Sequence, residues 1–349
     1  MRNYPIHIGS SALESLSVFL EETAYTQILV LADTLTHKHC YPYLQAHIPH
    51  HQVQLIEPGE IHKNLATCTL LWQAMTDLRL DRRSLVINLG GGVIGDMGGF
   101  VASTYKRGID FVQVPTTLLA QVDASVGGKL GIDFEGYKNH IGLFCEPQGV
   151  FIYPAFLQTL PEAELHSGFA EVIKHHLIAD AAGWEQLQHL TQLEAGDMEG
   201  LIRHSIQVKE DIVAQDPQEK GLRKALNFGH TIGHAIEGDL LQQGTPILHG
   251  EAIAIGMVAE SWISSTRGLL SPNRLQTITQ YLHSLYPPLT IDLSREEILF
   301  DRARNDKKNI GAEVNCTLLD GVGKVKVNQA ITQEEMTASL QFWNASIAP

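Results

Sequence analysis

Ser84-Leu85-Val86-Ile87-Asn88-Leu89-Gly90-Gly91-Gly92-Val93-Ile94-Gly95-Asp96 is the stretch on which the fold turns. Its first six residues form a short strand-like run. Gly90, Gly92 and Gly95 then satisfy G-x-G-x-x-G in a strand–turn–helix setting, the context that gives this motif meaning. In that setting backbone N–H groups and a helix N-terminus approach a pyrophosphate with no Cβ in the way. Two features depart from the usual fingerprint. The motif lies far from the N-terminus, and no acid ends the next strand; Asp33 and Glu60 precede it instead. A nucleotide site is expected, but not a standard Rossmann dehydrogenase.

The flanking segments extend the pattern in both directions. Gln27–Asp33 is an apolar run ending in an acid, where Asp33 is either a carboxylate at a strand's C-terminal end or a helix N-cap. His51–Ile56 reads as a second strand, leading through the charged turn Glu57–Asn64 into a helix reaching Leu78. Phe111–Val114 is a further strand closed by Pro115-Thr116-Thr117, with Thr116 as the expected N-cap of a helix through Val126 that Gly127-Gly128 stops. Alternating strands and helices to about Ile152 predict an α/β domain. Beyond Pro161 helical periodicity takes over, in Glu162–Ala179 with Glu171 and Lys174, in Leu201–Ala214 with Lys209, and in an apolar helix opened by Gly244–Glu251 and running through Ile263. Asn305–Asn309 reads as a polar turn before a strand-like tail, Glu313–Leu319. The expected organisation is a Rossmann-like α/β domain over 1–160 and a mainly α-helical metal- and substrate-binding domain over 161–349, with the active site in the cleft between them.

Composition excludes several classes of function. A formal net charge of −14 opposes general binding to nucleic acid, which needs a basic surface. It leaves room for a small anionic substrate, since a local basic pocket decides that. No apolar run approaches the length of a membrane span. Met1–Ile8 lacks a basic segment followed by an apolar one, so no secretory signal is read there. The 4 cysteines lie scattered without a C-x-x-C pair, which suits a reducing cytoplasm and argues against a thiolate zinc site.

The chemistry concentrates in Arg223-Lys224-Ala225-Leu226-Asn227-Phe228-Gly229-His230-Thr231-Ile232-Gly233-His234-Ala235-Ile236-Glu237. On a helix, His230 and His234 share one face, and Gly229 and Gly233 share the same spacing at a cost of about 1 kcal/mol each relative to Ala. A catalytic zinc needs three protein ligands. Spacing nominates His230 with His234, and any of Glu171, Glu219, Glu237, His249 or Glu251 completes a set. Lys106, Arg107, Lys129, Lys138, Lys174, Lys209, Arg223, Lys307 and Lys308 adjoin Gly, Asn, His or acidic residues, and together suggest capture of phosphate and carboxylate.

Gly90–Asp96, Tyr105–Gly108, Pro115–Lys129, Lys138–Gly142, Glu171–Lys174, Leu226–Glu237 and His249-Gly250-Glu251 resemble, in order, the motifs of the 3-dehydroquinate synthase family among the sugar-phosphate cyclases. The resemblance spans Asp33 to Lys308. It implies a divalent metal, Zn2+ or Co2+, held by Glu171, His230 and His249, with His234 turned to the substrate. It implies Glu219 and His234 as proton carriers, with Lys174, Arg223 and Asn227 beside them in the catalytic set. Substrate oxygens would meet Asp123, Lys129, Asn139, Lys174, Lys209, Arg223, Asn227, His234 and one or both of Lys307 and Lys308. Arg107 would reach the phosphate in a neighbouring subunit, because the family forms homodimers. NAD would meet Asp33, Pro58, Gly59, Glu60, Ile61, His62, Lys63, Gly91, Gly92, Val93, Ile94, Gly95, Asp96, Thr116, Thr117, Leu119, Asp123, Lys129, Lys138, Phe156, Leu157, Gln158 and Thr159.

The implied reaction converts 3-deoxy-D-arabino-heptulosonate 7-phosphate to 3-dehydroquinate and phosphate. Its steps are transient oxidation by NAD, phosphate elimination, re-reduction, ring opening and intramolecular aldol closure. The chain departs from the family pattern at Leu130, where Thr is usual, at Asp133, where Asn is common, and at His175-His176, where Tyr-Gly is commoner. A related cyclase for another sugar phosphate and a metal-dependent polyol dehydrogenase are the rival enzyme readings; a non-catalytic sugar-phosphate or nucleotide sensor is the rival outside catalysis.

Overall fold

The structure, a computed structural model, describes residues 4–135, 137–194, 196, 198–304 and 313–347. Two compact units emerge. One comprises Met1–Leu165 with Glu194–Ile206, the other His166–Leu193 with Gln207–Pro349.

The first unit is built on six parallel strands: β1 (Ile6–Ile8), β2 (Ile28–Asp33), β3 (Gln52–Ile56), β4 (Leu85–Gly90), β5 (Asp110–Pro115) and β8 (Gly149–Ile152), in the spatial order β1-β8-β5-β4-β2-β3. Helices α1 (Ala12–Glu22), α2 (Thr34–His39), α3 (Tyr41–Leu44), α4 (Leu65–Asp77) and α5 (Gly92–Thr104) connect or cover them. Strands buried on both faces read as near-continuous apolar runs rather than alternating ones, and β2 and β4 do so apart from Asp33 at the end of β2 and the buried Asn88 in β4. Leu29, Leu31 and Val86 pack with α4 and α5 on one face, while Val30, Ala32, Ile87 and Leu89 pack with α1 on the other. From β2 the chain moves outward to β3, then returns to β4 on the other side of β2. The topological switch therefore lies between β2 and β4, and open α/β sheets bind ligands beyond the C-terminal ends of such strands. Asp33 ends β2 and Gly90-Gly91-Gly92 ends β4, so the sheet's topology brings these two sequence-nominated segments side by side.

Strands β6 (Lys129–Phe134) and β7 (Tyr137–Phe144) form an antiparallel hairpin that the sequence reading held only as a glycine turn with neighbouring polar residues. A second expectation also needs correction. The helix expected from Thr116 through Val126 is shorter: Leu118 and Leu119 open it, it continues as a π-helical turn over Ala120–Ala124, and the side chain that accepts the Ala120 N–H is Thr117 rather than Thr116.

The second unit is mainly helical. It is formed by most of α6 (Glu162–Ala179), by α7 (Ala181–Leu187), the later part of α8 (Met198–Gln215), α9 (His230–Gln242), α10 (His249–Thr266), α11 (Pro272–Leu285), α12 (Glu296–Arg304) and α13 (Gln333–Ser346). The predicted helix over Glu162–Ala179 has the bounds expected of it. The tail strand becomes β9 (Val314–Leu319), paired with an unforeseen β10 (Val325–Ile331). Helix α10 is buried on nearly every side, and α9, α11, α13 and β9 pack around it.

Gly229 is not in a helix interior, as its spacing had suggested. It is the N-cap of α9 with a left-handed φ of 78°, and the preceding Leu222–Asn227 forms a 3-10 turn.

An acid anchors α9 to its neighbours. The buried Asp239 accepts bidentate hydrogen bonds from Arg295 at 2.8 and 2.6 Å and one from Gln243 at 2.7 Å. The Arg295 hydrogen bonds hold its pKa below the ordinary 3.8, against the opposing effect of burial. A folded pKa below the unfolded one contributes stability that is present above the ordinary carboxylate range and lost as pH falls through the folded value. Asp239→Asn is expected to cost about 1 kcal/mol at neutral pH, a modest figure because solvent screens the arginine side. Urea titrations of both proteins at falling pH should show the difference vanish in acid; a pH-independent difference would refute this assignment.

Candidate functional site

In the first unit, α5 starts at the glycine turn with Gly91 as its N-cap, and no side chain caps it. The first N–H groups of a 13-residue helix therefore point out of the sheet end as donors for an anion. Asp33 fulfils both of its sequence readings: it ends β2, and its carboxylate accepts the Thr36 N–H at 2.7 Å to cap α2. Gly59, at φ 111°, turns the chain into the short 3-10 segment Glu60–His62.

Lys63 is buried, and its Nζ donates to Asp96 Oδ2 at 2.7 Å and to Asn139 Oδ1 at 2.6 Å. Burial pulls its pKa down, but Asp96 and Glu60 outweigh that and raise it. Asn139, itself left-handed at φ 51°, donates its N–H to Asp133 Oδ1 at 2.7 Å, while the Asp133 N–H returns to the Lys63 carbonyl at 2.8 Å. Lys138 adds an ion pair with Glu60 at 3.5 Å. Residues that the resemblance divides between cofactor and substrate thus belong to one hydrogen-bonded ring. Asp133, which closes that ring, was flagged in the sequence only as a departure.

Thr116, Phe156 and Leu157 are buried, the last two in the 3-10 segment Pro154–Thr159 that also carries Gln158 and Thr159. Arg107 lies apart, exposed in the left-handed turn after α5. Lys307 and Lys308 lie outside the described residues.

In the second unit, three helices deliver one polar cluster. Glu171 comes from α6, His230 and His234 from the first turns of α9, and His249 from the first residue of α10. Glu171 Oε1 lies 3.4 Å from His230 Nε2 and 3.7 Å from His249 Nε2. The three imidazole centroids are 5.1 to 5.7 Å apart. His230 Nδ1 faces the Phe228 carbonyl at 3.0 Å, and His249 Nδ1 faces Glu237 Oε2 at 3.4 Å. Those contacts keep a proton on Nδ1 of each ring, so Nε2, which faces Glu171 Oε1, is the nitrogen that offers its lone pair to a metal once its own proton is released.

That donor set fits a divalent metal with an open position. Burial lowers the His249 pKa, but Glu237 and Glu171 overcome this and raise it to about 9. His230, His234 and His249 also bring one nitrogen each within 4.8 Å of one another, so spacing and resemblance each name a subset of the same cluster.

Lys174 stands against the cluster, and two further basic groups are buried in the same unit. Lys174, one turn beyond Glu171, pairs with its Oε2, both groups being fully buried. Arg223 and Lys209 are buried as well, and Arg223 Nη1 donates to the Pro217 carbonyl at 2.7 Å. Asn227 Nδ2 donates to Glu219 Oε1 at 2.8 Å. Glu219 itself sits at φ 58° in a loop organised by Asp216, whose carboxylate accepts the N–H groups of Lys220, Gly221 and Arg223 at 2.7 to 3.0 Å. Asp216 was missed in the sequence, where an Asp before a Pro carries no more signal than any turn residue.

A doubly wound sheet with a glycine turn at its switch point, and a helical unit that converges one buried glutamate and three histidines, define the class: an α/β unit of the kind that binds nucleotides, followed by a helical unit with a cluster of candidate metal ligands. A 3-dehydroquinate synthase N-terminal model matches residues 53–167, and the corresponding C-terminal model matches 168–309. A 3-dehydroquinate synthase of Parabacteroides distasonis is 41% identical over 99% of both chains. Among solved structures, a 2-epi-5-epi-valiolone synthase from Streptomyces hygroscopicus with NAD+ and Zn2+ bound superposes with a TM-score of 0.85 at 26% identity, covering 99% of this chain and 98% of that one. A 2-deoxy-scyllo-inosose synthase complexed with carbaglucose-6-phosphate, NAD+ and Co2+ has the same fold, with a TM-score of 0.84 at 24% identity over 97% and 96% of the two chains. This chain belongs to the 3-dehydroquinate synthase family.

Proposed function

We propose that this chain is the lyase that converts 3-deoxy-D-arabino-heptulosonate 7-phosphate to 3-dehydroquinate and phosphate, acting with NAD and a divalent metal, Zn2+ or Co2+. The observation that carries the reading is the cluster in which the His230 and His249 Nε2 atoms face Glu171 Oε1 at 3.4 and 3.7 Å, with Lys174, Lys209 and Arg223 buried in the same unit. A polyol dehydrogenase needs the metal set but has no use for so many buried cations, and a sensor needs no metal set.

Glu171, His230 and His249 would hold the metal. When bound, the metal acidifies the hydroxyl to be oxidised and NAD takes up and returns the hydride. Lys174, Lys209, Arg223, Lys129 and Asn139 bind substrate oxygens, and the cations stabilise the charge of the departing phosphate. His234, on the cluster but not in the metal set, and Glu219, oriented by Asn227, move protons at the elimination and aldol steps. Asp33, the 58–63 turn, the 91–96 turn, Thr116, Thr117, Lys138 and the 156–159 segment would hold the dinucleotide. The reading includes a homodimer, with Arg107 serving the partner's phosphate, in the cytoplasm. The net charge of −14 supports the absence of a nucleic-acid partner. Among the described residues no helix is long and apolar enough to cross a membrane.

The test is phosphate release from the heptulosonate phosphate with a trace of NAD, with and without a chelator, while absorbance is followed for NADH. Stoichiometric phosphate, no accumulating NADH and loss of activity on chelation are expected. Steady NADH without phosphate would replace this reading with a polyol dehydrogenase, and absence of turnover with NAD still bound would replace it with a sensor or a cyclase for another sugar phosphate.

Removing the loop's organiser offers a second test. Asp216→Ala frees the three N–H groups that hold Glu219 and Arg223 in place, and is expected to lower kcat about 100-fold, as a displacement near 1 Å does. NAD affinity should be unchanged, as measured by calorimetry. A kcat within twofold of the parent would exclude the loop from the chemistry.

A further inference from the structure

Glu260 has no part in the reading above. It lies in the fourth turn of the apolar helix α10 and is fully buried. A carboxylate in such surroundings is costly unless hydrogen bonds hold it. Its Oε2 accepts the backbone N–H of Gly229 at 2.7 Å. That N–H belongs to the same peptide unit as the Phe228 carbonyl, which accepts from His230 Nδ1 at 3.0 Å. One peptide plane is therefore held at its N–H end by Glu260 and used at its C=O end to orient His230.

The peptide needs such a hold. Gly229 is left-handed at φ 78°, and a glycine has many other conformations open to it. Were this peptide to turn over, the Phe228 carbonyl would leave Nδ1, and the proton could shift to the nitrogen facing Glu171. A charged acceptor at the N–H end also polarises the peptide and makes its carbonyl a stronger acceptor.

We infer that Glu260 is a positioning residue. It fixes the 228–229 peptide and, through it, the tautomer and aim of His230. The inference rests on the reading of His230 as a metal ligand.

The experiment uses the purified full-length chain stripped of metal. Zinc affinity is measured by competition with a chromophoric chelator, cobalt binding by its visible spectrum, and unfolding by urea, for the parent, Glu260→Ala, Glu260→Asp, Glu260→Gln and Glu171→Ala. Glu260→Ala should bind zinc about 10- to 100-fold more weakly, the usual effect of losing a group that orients a ligand, and should change the cobalt spectrum. Glu260→Asp, which draws the carboxylate back from Gly229, should weaken binding in the same direction. Glu260→Gln keeps an acceptor oxygen and should recover most of the affinity. If Glu260→Ala does not fold, a weaker Asp variant beside a near-parental Gln variant supports the role.

Parental zinc affinity and cobalt spectrum in the Ala or Asp variant, even with lowered stability, would make Glu260 a packing group and overturn the inference alone. A parent that takes up no zinc, or that takes it up as well after Glu171→Ala, would overturn the metal reading and this inference with it.

Discussion

Glu171→Ala is expected to reduce turnover by about three orders of magnitude or more, the scale of losing a metal-assisted step. Glu171 is fully buried, and its two oxygens face different partners: Oε1 the two imidazoles, Oε2 the Lys174 ammonium. Truncation removes the sole anion of the proposed metal set and leaves the buried Lys174 without its carboxylate. An uncompensated buried charge costs about 3–5 kcal/mol, so the variant should lose stability as well as metal. Glu171→Gln keeps the volume and separates the two effects: packing survives, but charge does not. NAD affinity should be retained in both variants, because the glycine turn and its neighbours belong to the other unit. Phosphate release, zinc content and NAD calorimetry on the three proteins make the check. Unchanged turnover with full zinc content would remove Glu171 from the metal set.

The second large effect concerns a residue with no chemistry of its own. A Cβ at Gly256 would stand 1.9 Å from the Gly229 carbonyl oxygen and 2.8 Å from Gly233 N. Both are backbone atoms, which cannot swing aside as a side-chain tip can. Gly256→Ala is therefore expected to cost about 3 kcal/mol or more, at the upper end for overpacking, by forcing α9 from α10. Since His230 and His234 ride on α9 and His249 on α10, the same displacement should weaken metal binding in whatever folded fraction remains. Gly200→Ala is the control: it sits in α8 with nothing within 4 Å of the added methyl, and helix propensity favours the change by up to about 1 kcal/mol. Urea midpoints for the two variants should move in opposite directions. An unshifted midpoint in Gly256→Ala would mean that the helices separate at little cost.

Much of the fold follows from local rules that a single sequence carries. The apolar runs over Gln27–Asp33 and Ser84–Leu89 are strands because only a strand buried on both faces is apolar without alternation, and the glycines after Leu89 announce the turn into α5. Glu162–Ala179 is a helix because its apolar positions keep the 3.6-residue period, and its structural bounds are those read from the sequence. Where the local signal was shared between two structures, the sequence reading erred or stayed open. Gly229 kept helical spacing with Gly233 but belongs to the turn before the helix, because Met257 and the backbone of α10 occupy the space a side chain would need. Asp33 proved to be both of its alternatives at once.

The proposed metal cluster divides in the same way. The presence of His230 and His234 on one helical face was determined by spacing alone, and the family motifs named Glu171 and His249. Only the tertiary structure brings those two to His230, since Glu171 and His249 lie 59 and 19 residues from it along the chain, and no local pattern encodes which helix ends meet. It also decided what surrounds them: Glu237 behind His249, Glu260 beneath Gly229, and Asp216 under the loop of Glu219. Glu237 and Glu260 act through contacts between segments 12 and 31 residues apart, and Asp216 through loop N–H groups 4 to 7 residues on, whereas sequence periodicity reports only which face of its own segment a residue occupies.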